Sequence, residues 1–118
     1  MRVVVLEPPC AFLNANDRLH YRTRNDRTQA WRSLTAIAAR GGLRYGRAHI
    51  VILYRFPNNL RREVSNLQPT SKAICDGLVD AGLIPDDDDR HVIGPDNRRE
   101  YPNGPPRVTV TITPLEPT

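Results

Sequence analysis

From Arg47 to Phe56 the chain carries Ile50, Val51, Ile52, Leu53, Tyr54 and Phe56 with almost no polar interruption. The run is short and rich in β-branched and aromatic side chains, so it reads as a strand near the centre of a sheet. Pro57-Asn58-Asn59 ends it. The next regular segment, Pro69 to Ala81, opens on a proline suited to a first helical turn and stops at Gly82. Its Ile74, Leu78 and Ala81 share one side, and Lys72, Asp76 and Asp80 recur every fourth residue on the other. A third strand is expected from about Arg90-His91-Val92. Strand, helix and strand then make a right-handed crossover with parallel strands.

The remaining segments attach to this unit. Arg2 to Leu6 is a Val-rich strand closed by Pro8-Pro9. Asn14 to Arg27 is polar and reads as a surface loop, with Arg18, His20, Tyr21, Arg22, Arg24 and Arg27 interleaved in a way that also suits phosphate contact and base stacking. Thr28 to Arg40 has Trp31, Leu34, Ile37 and Ala38 at helical spacing, with Gly41-Gly42 as the stop and Trp31 in the core. Arg107 to Thr113 alternates strictly, placing Val108, Val110 and Ile112 on one face. The turn-rich Pro102-Asn103-Gly104-Pro105-Pro106 before it predicts an antiparallel hairpin with the third strand, and the tail from Pro114 is expected to fray. The order is β-α-β-α-β-β. An α+β fold follows, with a small mixed sheet and two helices in a single domain over residues 1–118, a length that allows one modest core.

The 17 Lys and Arg residues outnumber 13 Asp and Glu, for a formal charge of +4, and 16 of the 17 are arginine. Such a balance suits either a polyanionic partner or an ordinary basic surface. Two cysteines, Cys10 and Cys75, are too few for a disulfide framework and fit no metal-ligand spacing, so they read as reduced thiols of a cytoplasmic protein. Glu7, Pro8 and Pro9 break the only early apolar run, and nothing approaches a membrane span of ~18 apolar residues. A Gly-rich phosphate loop and a Gly-x-Ser-x-Gly elbow are both missing, and His20, His49 and His91 are scattered. A small-molecule cofactor and His-based nucleophilic chemistry are therefore not expected. His91 is the one histidine close to other charged groups of interest.

Those groups lie between Arg61 and Val92. Asp86-Asp87-Asp88-Asp89 follows a helix C-terminus, where like-charge repulsion and the macrodipole both disfavour it. A hydrated loop and a hard-cation site are both compatible with the run, since Mg²⁺ is usually held by one or two carboxylates plus water and phosphate. Glu63 follows Arg61-Arg62 at the carboxyl edge of the central strand, where open α/β sheets tend to place sites. In a strictly parallel unit the aspartates emerge on the opposite rim. They must fold back, or meet a second subunit, to reach Glu63. Lys72, the single lysine, suits either a phosphate contact or a helical pair with Asp76 worth only about 0.2–0.5 kcal/mol.

Taken together, Glu63-Val64-Ser65-Asn66-Leu67, Lys72, Asp76-Gly77-Leu78, Ala81-Gly82 and Asp86-Asp87 resemble the core of the RusA-type Holliday junction resolvases, over roughly residues 57–92. The resemblance implies a RusA-like homodimeric endonuclease, found in phages and prophages, that cuts branched DNA with Mg²⁺, or with Mn²⁺ in its place. Carried over by position, Glu63 and Asp87 match metal-binding acids, with Asp86 as the neighbouring alternative, and Lys72 matches the catalytic lysine. Two departures stand out. Glu63 replaces an Asp, and Ser65 stands where a second catalytic Asp is expected, so metal affinity should fall. Extra residues around Pro69-Thr70-Ser71 also shift the lysine along its helix. Asp76 and Asp88 are the candidate compensating acids, and the DNA contacts are expected at Arg61 and Arg62, then at Arg55, Arg18, Arg22 and Arg24. A relative that binds branched DNA without cutting it is the alternative, favoured by Ser65.

Overall fold

The computed structural model describes residues 1–115 and contains, in order, β1 (Arg2–Leu6), α1 (Tyr21–Ala38), β2 (Ala48–Arg55), a 3-10 turn (Val64–Leu67), α2 (Gln68–Asp80), β3 (Val92–Glu100) and β4 (Arg107–Pro114). This is the expected small α+β fold, and its four-stranded sheet has the order β1-β4-β2-β3. β2 and β3 run parallel across the α2 crossover, whereas β4 is antiparallel to both β1 and β2. The central position expected for β2 is confirmed.

One face of the sheet carries Val4 and Leu6, Ile50, Ile52 and Tyr54, and Val108, Val110 and Ile112, all buried. Alternation along each strand puts them there. The helices cover this face: Trp31 of α1 and Ile74 and Leu78 of α2 have no exposed surface. Trp31 stacks on Phe12 with ring centroids 5.5 Å apart, and its indole N–H donates to the Ala11 carbonyl at 3.2 Å. That is the core role expected of it.

The two helices touch at Gly77. A Cβ there would stand 2.6 Å from the Arg32 carbonyl oxygen and 2.6 Å from the Thr35 Cβ, so only glycine permits this approach. Arg32 then clasps the end of α2, donating to both carboxylate oxygens of Asp80 at 2.6 and 2.9 Å.

Four sequence expectations are corrected. α1 begins at Tyr21, not Thr28, so Arg22, Arg24 and Arg27 sit on its first turns and not in a loop. His20 caps the helix, its Nδ1 accepting from the Arg22 N–H at 3.2 Å. Those turns project into solvent and bury little, so they carry no apolar periodicity. A 3-10 turn that the sequence reading lacks precedes α2.

The third correction concerns β3 and β4, which form no hairpin: β4 crosses the end of β2 and inserts between β2 and β1. Composition explains the choice. β4 offers a fully apolar face and belongs inside the sheet, whereas β3 reads VIGPDNRRE, and its polar side chains and Pro95 suit an edge. Gly94, at φ +102, marks the register shift between β2 and β3; a Cβ would meet the Ile50 carbonyl oxygen at 2.6 Å. The turn that makes the crossing is tied down by Arg55, whose Nε donates to the Pro105 carbonyl at 2.8 Å, and by the Gly104 N–H to the Phe56 carbonyl at 3.0 Å.

Fourth, Pro114 is not frayed: it pairs with Ala48, and the Leu115 N–H donates to the Arg47 carbonyl at 2.9 Å. The rest of the expected tail, residues 116–118, lies outside the described residues. No helix among the described residues is long and apolar enough to cross a membrane.

Candidate acid–lysine site on the second helix

Helix α2 presents two chemistries. Its inner side carries Ala73, Ile74, Gly77 and Leu78, all buried, while Lys72, Asp76 and Asp80 occupy the outer side as the spacing predicts. After the helix, Gly82 adopts φ +78 and reverses the chain. Leu83 and Ile84 then plunge into the core, at 2% and 1% exposure. That anchor turns the following aspartates back along α2 instead of releasing them into solvent at the far rim.

Asp87 consequently reaches Lys72. The Lys72 ammonium donates to Asp87 Oδ2 and, at 2.9 Å, to Asp76 Oδ1. Asp87 and Asp76 are both well shielded, with side chains 22% and 25% exposed, whereas Lys72 is 58% exposed. The ammonium holds the Asp87 carboxyl below the usual carboxylate range, and Asp87, then Asp76, pushes the Lys72 pKa up. The Lys72 and Asp87 charges are therefore fully formed at neutral pH. Lysine has three N–H donors, and two are used here.

The other aspartates of the run have different duties. Asp86 accepts the Asp87 N–H at 2.7 Å, bracing that residue. Asp88 accepts from His91 Nδ1 at 2.5 Å and from the Arg90 N–H at 3.2 Å, closing the turn into β3. His91 lowers the Asp88 pKa. His91 is thus a structural partner of Asp88, not a member of the acid–lysine cluster.

Glu63 stands apart from the cluster. Its carboxylate meets Arg61 at 3.4 Å, and no hydrogen bond or ion pair joins it to Lys72, Asp76, Asp86 or Asp87 among the described residues. Glu63 lies instead beside a cavity of about 560 Å³ that also involves Phe12, Asn14, Arg61, Arg62 and Asn66. Ser65 opens on a separate shallow depression with Gln68 and β3 residues 95–98. The expected set of Glu63, Asp86 and Asp87 is not assembled within one chain, and no group of three His, Cys, Asp or Glu able to hold a metal ion occurs among the described residues. What converges is a pair of carboxylates on one cation. Asp76 and Asp87 fit Mg²⁺ or Mn²⁺ on chemistry, as the one or two carboxylates such ions accept. Glu63 does not join that set.

The arginines divide similarly. Arg61 is 90% exposed, and Arg18, Arg22 and Arg24 are also exposed. Arg62 is locked: it donates to the Asn58 and Leu60 carbonyls at 3.2 Å each and to Asn58 Oδ1 at 2.8 Å, and it lies 4.4 Å over the Phe56 ring. Arg55 is occupied in the β3–β4 turn. Arg99, which the sequence reading passed over, repeats the Arg62 pattern, bonding the Asn58 and Leu60 carbonyls at 2.6 and 3.0 Å.

A buried polar relay was also missed. Ser71 Oγ donates to Asn97 Oδ1 at 2.6 Å, so the Tyr54 hydroxyl, also at 2.6 Å, must donate to Ser71. Burial keeps that phenol protonated, consistent with a donor role. The Asn97 amide in turn donates to the Val64 carbonyl at 3.3 Å and Gln68 Oε1 at 3.1 Å. The relay ties β2 and β3 to the segment that carries Ser65 and starts α2. Its one sequence signal is the polar Asn97 within a strand.

The fold and site thus define a small mixed-sheet α+β domain with an acid–lysine cluster outside its second helix. No protein-family model and no curated protein matches the chain.

Proposed function

We propose that the chain is a RusA-like, structure-selective endonuclease of the cytoplasm that binds four-way or otherwise branched DNA as a homodimer and hydrolyses a phosphodiester with Mg²⁺, or Mn²⁺, as cofactor. The observation that carries this reading is the meeting of Lys72 with Asp87, 15 residues further on, and with Asp76. A merely hydrated acidic loop has no need to fold back onto a helix, shield two carboxylates and place them on one ammonium. Asp76 and Asp87 would hold the ion, with Asp86 bracing Asp87. When bound, a divalent ion lowers the pKa of its water and stabilises the leaving oxygen. Lys72, charged at neutral pH, offers its third N–H to a phosphate oxygen and stabilises negative charge developing there. Exposed Arg61 and the Arg18–Arg24 group neutralise flanking phosphates. A two-fold dimer would present two equivalent sites, one for each of two paired incisions.

A second reading keeps the DNA and drops the cut. Glu63 is engaged with Arg61 and Ser65 brings no charge, so the first-acid segment contributes nothing to the carboxylate pair. Such a chain would bind junctions and leave them whole.

Nicking of an end-labelled synthetic four-way junction, in Mg²⁺ against EDTA, separates the two. Paired Mg²⁺-dependent cuts that vanish in Asp87→Asn and fall at least tenfold in Lys72→Met are expected. Junction retention without cuts in either metal would give the binding-only reading, with Ser65→Asp the first variant to try for restored cleavage. No retention at low salt would end both.

A further inference from the structure

The cavity beside Glu63 is not used by the acid–lysine chemistry, and its lining differs from that of a phosphate site. Its volume, about 560 Å³, exceeds what one nucleobase needs. Flat π surfaces form part of it. Phe12, half-buried, stacks on Trp31 and meets Phe56 edge-on at 5.8 Å, and the Arg62 guanidinium lies 4.4 Å over the other aromatic, Phe56. Planar guanidinium and aromatic groups are the surfaces on which unstacked bases rest.

The polar groups are mixed. Asn14 and Asn66 supply amides, and Asp17 and Glu63 supply carboxylates, against only Arg61 and Arg62 as cations. Carboxylates repel a phosphate but accept from an exocyclic amino group of a base. Asn66 is the best-placed reader. Its backbone is clamped from both sides, the N–H donating to the Glu63 carbonyl at 3.0 Å and the carbonyl accepting from Ala15 at 2.7 Å. Its side-chain amide makes no hydrogen bond among the described residues, unlike Asn14, whose Oδ1 accepts from the Asn16 N–H at 2.8 Å. A fixed backbone bearing an uncommitted amide suits reading a base edge.

We propose that this cavity takes one unstacked nucleobase at the branch point of the DNA, adenine in preference to thymine, with the base against Phe12 and Arg62, the Asn66 amide on its N6/N7 edge, and Arg61 on the neighbouring phosphate. The inference rests on the branched-DNA reading and adds a base preference to it. Asparagine pairs bidentately with adenine, its Oδ1 accepting from N6–H and its Nδ2 donating to N7, and thymine offers neither of those groups.

The test is equilibrium binding, in EDTA, of four-way junctions whose branch-point nucleotide is adenine, thymine or an abasic residue. Adenine should bind about tenfold tighter than the abasic junction, equivalent to ~1.4 kcal/mol, with thymine close to abasic. Asn66→Ala, its fold checked by circular dichroism, should bind the adenine and thymine junctions alike while holding the abasic junction as tightly as wild type does. Asn66→Asp, which keeps the shape and the N6 acceptor but loses the donor to N7, should bind the adenine junction less tightly than wild type does. Equal wild-type affinity for all three junctions would overturn the pocket while leaving junction binding intact. Absence of any wild-type retention would overturn both. Adenine preference without nicking would uphold the pocket and remove only the cleavage.

Discussion

Replacing Gly77 with alanine tests the packing that positions the acid–lysine cluster. The new Cβ would stand 2.6 Å from the Arg32 carbonyl oxygen and 2.6 Å from the Thr35 Cβ. Ordinary carbon–oxygen contacts are about 3.3–3.6 Å and carbon–carbon contacts about 3.5–4.0 Å, so the helices must part by roughly 1 Å. Neither neighbour can yield alone, since one is helix backbone and Thr35 is fully buried with its hydroxyl bonded to the Trp31 carbonyl at 2.8 Å. Overpacking of this kind costs about 1–3 kcal/mol, and two rigid helices place it at the upper end. Alanine recovers about 1 kcal/mol of helix propensity over glycine. The net expectation is a loss of about 2 kcal/mol, or roughly 8 °C in Tm for a domain of this size. Gly46→Ala is the control: a Cβ there meets nothing within 4 Å, so its change should stay within about 0.5 kcal/mol. Thermal melts and urea titrations followed by circular dichroism measure both. A Gly77→Ala protein as stable as wild type, or more so, would refute the close helix crossing and the register of α2 that depends on it.

Further outcomes follow from the charges and thiols. Asp87 and Asp80 have folded pKa values depressed by Lys72 and Arg32 respectively. The stability they contribute is full above the unfolded carboxylate value of about 4 and is lost as pH falls through the lower folded values, so Tm should drop progressively as pH falls below about 4. Lys72→Met should flatten part of that acid limb. The effect is worth under about 1 kcal/mol, because the lysine is more than half exposed; an unchanged limb would contradict the Lys72–Asp87 pair. On the alkaline side, the raised Lys72 pKa contributes stability below about 10.4 that disappears as pH rises through its folded value. Cys75 is 2% exposed, with its thiol pushed up to about 12, chiefly by burial, whereas Cys10 is partly open. Native protein should therefore expose one thiol to an aromatic disulfide reagent and denatured protein two; rapid native labelling of both would show that the α2 core is not closed.

The acid–lysine pairing was only half legible before folding. The neighbourhood of Lys72 and Asp76 follows from helical spacing, a local property. That Asp87, out of four consecutive aspartates, completes the cluster depends on Leu83 and Ile84 burying themselves and turning the chain back. The pattern contains both residues but not the direction in which they pull. Glu63 illustrates the opposite case: its place at the rim of β2 was inferred, yet its carboxylate went to Arg61, a choice made by side-chain geometry.

What the sequence by itself determined are the periodic elements. The apolar run of β2, the alternation of β4, and α2 between Pro69 and Gly82 each bury a face that their own spacing defines. Tertiary structure decided the rest. β4 lies between β1 and β2 because an interior position buries its Val and Ile face, while polar β3 can stand at an edge; that comparison exists only once all four strands compete for places in one sheet. The first turns of α1 are held by a histidine cap and by continuity with the buried turns beyond them, so their arginines ride on a helix that their own residues do not announce.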